Sequence, residues 1–317
     1  MKEKIKIYAV AGPTASGKSA LALELAERFD GEIVSCDSMQ VYKRMNIGTA
    51  KPTKEETARV PHHMIDVSEP TESFSCAEYV AMADTVIRDI HSRGKKPIIC
   101  GGTGLYLDSL LRGSDFKEGI TDESLRAELI EFAKVNGVQA LHDELARVDA
   151  QSASEIHPNN VKRVARAIEV FRLCGVPKSE LDRQSREGGE RFDVSCIGLF
   201  YSDRAELYRR IEQRVDIMMS EGLEAETRAL LEDGVFEKNA TAAQAIGYKE
   251  LLGYVRGEET LEVAVDRLKT ATRRYAKRQI TWFGAKPYVT TLDVCDGENK
   301  KTFEEIVNIA SKYFFYL

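Results

Sequence analysis

Gly12-Pro13-Thr14-Ala15-Ser16-Gly17-Lys18-Ser19 decides the fold. The octapeptide fits G-x-x-x-x-G-K-[ST], and its flanks supply the context that pattern needs. Before it, residues 5–11 form a short apolar run that reads as a buried strand. After it, residues 18–29 carry Leu21, Leu25 and Phe29 on one helical face. Strand, glycine loop and helix together make a phosphate-binding loop. Glycines let backbone N–H groups curl around an anion, and the helix N-terminus adds partial positive charge. Lys18 can reach a terminal phosphate, and the Ser19 hydroxyl can hold Mg²⁺. The motif specifies a polyphosphate without naming which one.

Outward from the loop, strands and helices alternate. Asp30-Gly31 reads as a turn and 32–36 as a second strand. Ser75-Cys76-Ala77-Glu78 has capping-box spacing, so a helix is predicted to start there and to end at Gly94. Residues 97–100 are a third strand, and a helix begins at Leu105. This is the pattern of an α/β fold, a parallel sheet with flanking helices. From about 115 to 193 the chain is polar and helical, with no strand. Strand character returns at 194–201, helices are expected at 203–221, 223–233, 241–253 and 260–283, a last strand at 288–292 and a last helix at 302–316. The predicted organisation is a core made of 1–114 and 194–317, with a helical insertion domain at 115–193 hinged at Gly113-Ser114 and Gly188-Gly189.

The 317 residues suffice for two domains, and 43% hydrophobic content excludes global disorder. No apolar run approaches the roughly 20 residues of a membrane span. The run at 5–11 leads straight into the loop, so no signal peptide is expected. None of the six cysteines is spaced as C-x-x-C, which argues against zinc and for reduced thiols in the cytoplasm.

A nucleotide hydrolase of this type usually ends a second strand in an acid for its metal. Here Ile98-Ile99-Cys100 runs into Gly101-Gly102-Thr103-Gly104, without one. The acid follows the second strand instead, in Asp37-Ser38-Met39-Gln40. Carboxyl ends of parallel strands share one crevice, so Asp37, Thr103 and the phosphate loop should face one ligand. The bland alternatives are that Asp37 caps a helix or turn and that the Gly-Gly-Thr-Gly stretch is simply a tight connection.

The net charge of −6 argues at first against nucleic acid. Yet residues 267–286 hold seven basic residues and no acid, with Arg274 and Arg278, like Arg273 and Lys277, four apart, followed by Trp282-Phe283. Lys162, Arg163, Arg166, Arg172 and Lys178 stand against Glu169 in a second cluster. The two together hold +11, which leaves −17 on the rest. Basic faces interleaved with aromatics suit RNA, although a charge run is more commonly a solvated face.

The motifs GPTASGKS at 12–19, DSMQVY at 37–42, NIGTAK at 46–51, HHMID at 62–66, GGTGLY at 101–106, RVARAIEV within 158–170, QAIGYKE at 244–250 and KRQITW at 277–282 resemble the tRNA dimethylallyltransferase (tRNA isopentenyltransferase) family, bacterial type, in order along nearly the whole chain. The resemblance implies a P-loop NTPase-like core that transfers a dimethylallyl group from dimethylallyl diphosphate to the N6 amine of the adenosine 3′ of the anticodon, in tRNAs reading codons that begin with U, with Mg²⁺. By that likeness Asp37 is the base, Thr103 bonds the bridging oxygen of the leaving group and Lys18 stabilises it. Gly12, Pro13, Thr14, Ala15, Ser16, Gly17, Lys18 and Ser19 hold the diphosphate, and Ser19 the metal. The tRNA-contact segments match Asp37, Ser38, Met39 and Gln40; Lys162, Arg163, Val164, Ala165 and Arg166; Gln244, Ala245, Ile246, Gly247, Tyr248 and Lys249; and Lys277, Arg278, Gln279, Ile280, Thr281, Trp282, Phe283 and Gly284. The helical insertion would close on the anticodon stem-loop.

Some assignments stay open at this level. Arg214 and Arg228 are placed by the resemblance near the diphosphate or the tRNA, with surface pairing equally open. His62 and His63 suggest a metal beside Asp66, but no further ligand spacing supports one and a structural or gating role is expected. Tyr275 and Tyr248 could stack on bases or merely pack. A monomer is expected. The competing functions are an ATP-dependent small-molecule kinase, an isopentenyltransferase acting on free AMP, and an RNA-binding module with a vestigial loop.

Overall fold

The computed structural model describes residues 4–112, 122–187, 189–297 and 299–316. The chain divides into two compact units, Met1–Leu111 with Phe192–Leu317, and Arg112–Arg191. The hinge positions Gly113, Ser114 and Gly188 lie outside the described residues; Gly189 has φ +76°.

The larger unit is built on seven strands: β1 Lys6–Ala11, β2 Gly31–Ser35, β3 His62–His63, β4 Lys96–Gly101, β5 Asp193–Tyr201, β6 Val289–Asp296 and β7 Asn299–Lys300. Their order is β3-β2-β4-β1-β5-β6-β7, parallel except for β6 with β7. Its helices are α1 Lys18–Arg28, α2 Lys54–Arg59, α3 Cys76–Ser92 and α4 Gly104–Arg112 before the insertion. The insertion carries α5 Glu123–Asn136, α6 Val138–Val148, α7 Ala150–Glu155, α8 Val161–Cys174 and α9 Lys178–Glu187. Then come α10 Arg204–Ser220, α11 Leu223–Glu232, α12 Val235–Lys238, α13 Tyr248–Val255, α14 Leu261–Gly284 and α15 Phe303–Ser311.

β1 reads as an unbroken apolar run because both of its faces are covered. Tyr8 and Val10 pack with α1, α10 and α15, through Leu21, Leu25, Leu207, Ile211 and Val307. Ile7, Ala9 and Ala11 face the other way, onto Tyr79, Ile87 and Leu110 of α3 and α4. The phosphate-loop strand thus lies inside the sheet. The chain leaves it toward β2 on one side, while β5 pairs on the other, so the crevice opens at its carboxyl end. A third cluster packs Val41, Tyr42 and Met45 against α11 to α14.

The capping box at Ser75 forms in full: Ser75 Oγ accepts from Glu78 N at 3.2 Å, and Glu78 accepts from Ser75 N at 2.7 Å. α3 closes at Ser92, with Gly94 left-handed at φ +76°. The helix expected over 241–253 is broken. A 3₁₀ turn at Ala242–Gln244 is followed by α13, which starts only after Gly247 at φ +111°. Glu250 accepts from Gly247 N at 3.0 Å and caps the new start. The last strand runs past 292 to Asp296, because pairing with β5 continues to Tyr201↔Cys295. The short α2, β3, α12 and β7 lacked enough periodicity to be read.

The inserted unit buries Leu129, Leu141, Leu145, Val164, Ala165 and Ile168. Its fully buried Glu169 accepts from Arg126 at 3.0 Å and from Asp122 N at 2.8 Å, and it pairs with Arg166 at 2.9 Å. Among the described residues no helix is long and apolar enough to cross a membrane.

Candidate active site

Gly17 caps α1 with φ +92° and no side-chain bond, and the first turn of α1 holds no acid. The N-terminal N–H groups and the positive end of the helix are therefore open to an anion. Lys18 folds back, its Nζ 3.3 Å from Pro13 O. Burial lowers its pKa, as does Arg214, while Cys100 and Asp37 pull it up. Arg214 reaches the same place from α10, and burial lowers its pKa against the opposing pull of Asp37. Arg210, one turn earlier, donates from Nε to Ala15 O at 2.9 Å. Neither arginine has an ion pair among the described residues. Cations gathered this way repel one another unless a polyanion sits between them.

A cavity of about 410 Å³ opens on this cradle. Thr14, Lys18, Ser19, Asp37, Glu56 and Arg214 belong to its polar lining, and Ile211, Val215, Met218 and Leu268 to its apolar wall. A second cavity of about 290 Å³, lined by Ala15, Gly17, Arg210, Gln213 and Ile217, shares Lys18, Ser19 and Arg214 with the first. The loop is thus reached from two sides. Gly12, Pro13 and Ser16 line neither cavity.

Asp37 caps a turn and also lines the cavity. Its Oδ1 accepts from Met39 N at 2.9 Å and Gln40 N at 3.4 Å. Thr103 is half-buried and is not itself a lining residue. Its Oγ1 accepts from Ser38 N at 3.0 Å, and Ser38 lines the cavity. Tyr275, also lining, sits beside Thr103, and burial raises its phenol above the ordinary range.

The cationic patches are smaller in space than in sequence. Arg267 bonds Glu259 at 2.9 Å, Lys269 pairs with Asp216 at 2.6 Å, Arg273 with Glu212 at 2.5 Å and Lys286 with Asp108 at 2.5 Å. Arg274, Lys277 and Arg278 have no ion pair among the described residues. In the inserted unit, Arg166, Arg172 and Lys178 pair with Glu169, Glu144 and Asp182, which leaves Lys162 and Arg163.

Burial also removes several side chains from the expected RNA contacts. Val164 and Ala165 belong to the inserted unit's core, and Ala245, Gly247, Tyr248, Gln279 and Phe283 to the interior of the larger unit. Tyr248 packs rather than stacks, its hydroxyl donating to Glu226 at 2.7 Å. The Gln40 amide is committed to Thr49 O and Ala50 O, both at 3.1 Å. Ser38, Met39, Gln244, Ile246, Lys249 and Arg278 line the cavity, and the more buried Gln40, Ala245, Gly247 and Gln279 also reach its wall. Lys277, Thr281, Trp282 and Gly284 are exposed, and Ile280 is half-buried. Lys286 stands 4.6 Å over the Trp282 ring.

His63 Nε2 donates to the Glu32 carboxylate at 2.7 Å, and Arg93 holds the Glu32 pKa down to about 2. His62 contacts Val60 O at 2.8 Å. Among the described residues no His, Cys, Asp and Glu cluster fits a metal. Arg228 pairs with Glu224 at 3.0 Å on the surface. Two residues escaped the sequence. Arg210 clamps the loop from 195 positions away, and Glu226 accepts from the backbone N–H groups of Asn46, Ile47 and Gly48, at 3.1, 2.9 and 3.1 Å, anchoring a wall of the cavity.

A phosphate loop that shares its cavity with Asp37, with glycine instead of an acid at the tip of β4, fits a transferase that handles a polyphosphate donor. The comparisons narrow that class. The IPP transferase family model matches residues 40–286. A tRNA dimethylallyltransferase of Caldanaerobacter subterraneus subsp. tengcongensis is 47% identical over 304 residues, 95% of each chain. The solved tRNA isopentenylpyrophosphate transferase of Bacillus halodurans is 44% identical, with a TM-score of 0.70, covering 98% of this chain and 97% of that one. A eukaryotic dimethylallyltransferase acting on tRNA is 30% identical, with a TM-score of 0.81, over 98% and 79% of the two chains. The chain belongs to the IPP transferase family.

Proposed function

We propose that this chain transfers a dimethylallyl group from dimethylallyl diphosphate to the N6 amine of the adenosine 3′ of the anticodon, in tRNAs reading codons that begin with U, and releases diphosphate. The observation that carries the reading is the arrangement of Lys18 and Arg214, without ion pairs among the described residues, at an uncapped helix N-terminus, with the Asp37 carboxylate on the same partly apolar cavity. The cations and loop N–H groups hold the diphosphate, and the apolar wall takes the prenyl chain. The amine nitrogen forms its bond to the allylic carbon as the carbon–oxygen bond breaks, and that electron pair leaves on the diphosphate oxygen. Lys18 and Arg214 stabilise this charge. The nitrogen becomes acidic as it bonds, and Asp37 takes its proton through Oδ2, since Oδ1 is occupied by the turn. Thr103 Oγ1 accepts from Ser38 N and donates to Ser38 Oγ at 3.4 Å, a long bond that the hydroxyl gives up when it turns its hydrogen to the bridging oxygen. Ser19 is a hard oxygen donor beside the phosphates and would hold Mg²⁺ together with them. The metal supplies neutralising charge when bound.

RNA reaches the site over Arg274, Lys277 and Arg278 of α14, with Lys162 and Arg163 of the inserted unit as further phosphate contacts. The target base must leave the anticodon-loop stack to enter the cavity. Charge reversal at Arg274 and Arg278 is expected to weaken stem-loop binding. It should also flatten the slope of the salt dependence by about one for each phosphate left without its cation, measured by titration at several salt concentrations. Unchanged affinity and slope would make α14 a solvated face. The kinase reading is tested by donor exchange. Diphosphate release should require dimethylallyl diphosphate and tRNA together, and ATP should support no transfer to tRNA or to AMP.

A further inference from the structure

Gln279 falls in a stretch that the sequence assigns to RNA, yet it is only 5% exposed, at the wall of the cavity, with its amide taken up by the protein itself. Its amide spans two loops. Oε1 accepts from Thr14 N at 2.9 Å, and Nε2 donates to Gly102 O at 3.0 Å. Thr14 belongs to the phosphate loop, and Gly102 immediately precedes Thr103. The approach at Gly102 is close enough that a Cβ there would lie 2.1 Å from Gln279 Nε2. On the same side of α14, Tyr275 sits beside Thr103 and Trp282 packs on Gly104, where a Cβ would lie 2.2 Å from the indole. Of these three, only Gln279 also reaches the phosphate loop. Its bond takes up the Thr14 N–H, so the anion cradle starts beyond Thr14.

We propose that Gln279 is a positioning residue that fixes the spacing between the loop holding the donor's diphosphate and the turn carrying Thr103, and that it contacts no RNA. This rests on the transfer reading given above. An amide suits the task because it offers an acceptor and a donor at opposite corners of one rigid plane. The two loops end different strands, β1 and β4, and this amide joins them directly across the crevice. Misplacement by about 1 Å between a leaving group and its partner costs roughly 100-fold in rate.

Two substitutions break the clamp from opposite sides. Gln279→Met keeps the length and removes both bonds. Gly102→Ala keeps the amide and forces it off the carbonyl. In the full chain, each is expected to lower kcat at saturating substrates roughly 100-fold. Each should also weaken binding of inorganic diphosphate roughly tenfold, the equivalent of one missing hydrogen bond. Affinity for an anticodon stem-loop without donor should be unchanged. Wild-type kcat and diphosphate affinity with only a lower melting temperature would overturn the proposal, because Gln279 would then be mere packing. A loss confined to stem-loop affinity would overturn it in favour of an RNA contact. If the wild-type chain transferred no prenyl group, the transfer reading would fail, while the diphosphate titration would still decide whether Gln279 sets the loop.

Discussion

Asp37→Asn should reduce transfer at saturating substrates by about 10²- to 10⁴-fold, the range a positioned general base contributes. The substitution keeps the shape and leaves Oδ1 able to accept from Met39 N and Gln40 N, so the turn after β2 survives. What disappears is the acceptor for the amine proton. Stem-loop affinity should hold. Donor affinity should hold or rise slightly, because one negative charge facing the diphosphate is gone. Single-turnover kinetics with enzyme in excess separates these effects. A variant that transfers at the wild-type rate would leave Asp37 as a turn cap alone and would require another base.

Lys18→Met should lower the transfer rate by about 10²- to 10³-fold, the scale of losing one preorganised donor to a developing oxyanion. It should also weaken donor binding, because Arg214 alone cannot balance the diphosphate. Lys18 has a distinctive pH signature. Its pKa is lowered by burial and by Arg214, so in the free enzyme it sheds its proton at a lower pH than a solvated lysine. The diphosphate binds the protonated form. Donor affinity is therefore full below that lowered pKa and falls as pH rises through it. Titration of inorganic diphosphate across neutral to alkaline pH checks this. The decline should be shallower in Lys18→Met, which lacks the titrating group. The same decline in both would move the effect to another residue.

The parts of the site that were legible in the sequence are those whose chemistry is local. The phosphate loop is contiguous, its flanks are one strand and one helix, and its glycines and lysine each have a role within eight residues. The Ser75 capping box is likewise a four-residue device, and it formed in full. Asp37 could be placed because the carboxyl ends of parallel strands converge. Arg210 and Glu226 could not, because each acts on a backbone loop more than 170 positions away and looks like any charge on a helix.

The basic run at 267–286 misled in the opposite direction. It contains no acid of its own, but α10 supplies Asp216 and Glu212, and Glu259 lies just ahead of α14. A one-dimensional charge count cannot register a neighbour from another helix. Among the described residues, the contrast between −17 and +11 therefore narrows in space to three cations without an ion pair on α14 and two on the inserted unit. Gln279 was hidden for a related reason. It lies among residues that resemble RNA contacts, and only its burial separates it from Arg278 beside it. The break at Gly247 was missed because the apolar spacing on both sides suits one continuous helix, while the glycine's positive φ does not.

The central claim is that one prenyl group passes from a diphosphate to a particular adenine nitrogen. The direct measurement is mass analysis of nucleosides digested from an unmodified anticodon stem-loop after incubation with the protein, Mg²⁺ and dimethylallyl diphosphate. The account predicts that the adenosine 3′ of the anticodon alone becomes heavier by one dimethylallyl group, carried on N6, with one diphosphate released per modified base. An unmodified stem-loop under conditions where the protein binds both substrates, or a phosphate in place of the prenyl group, would contradict it.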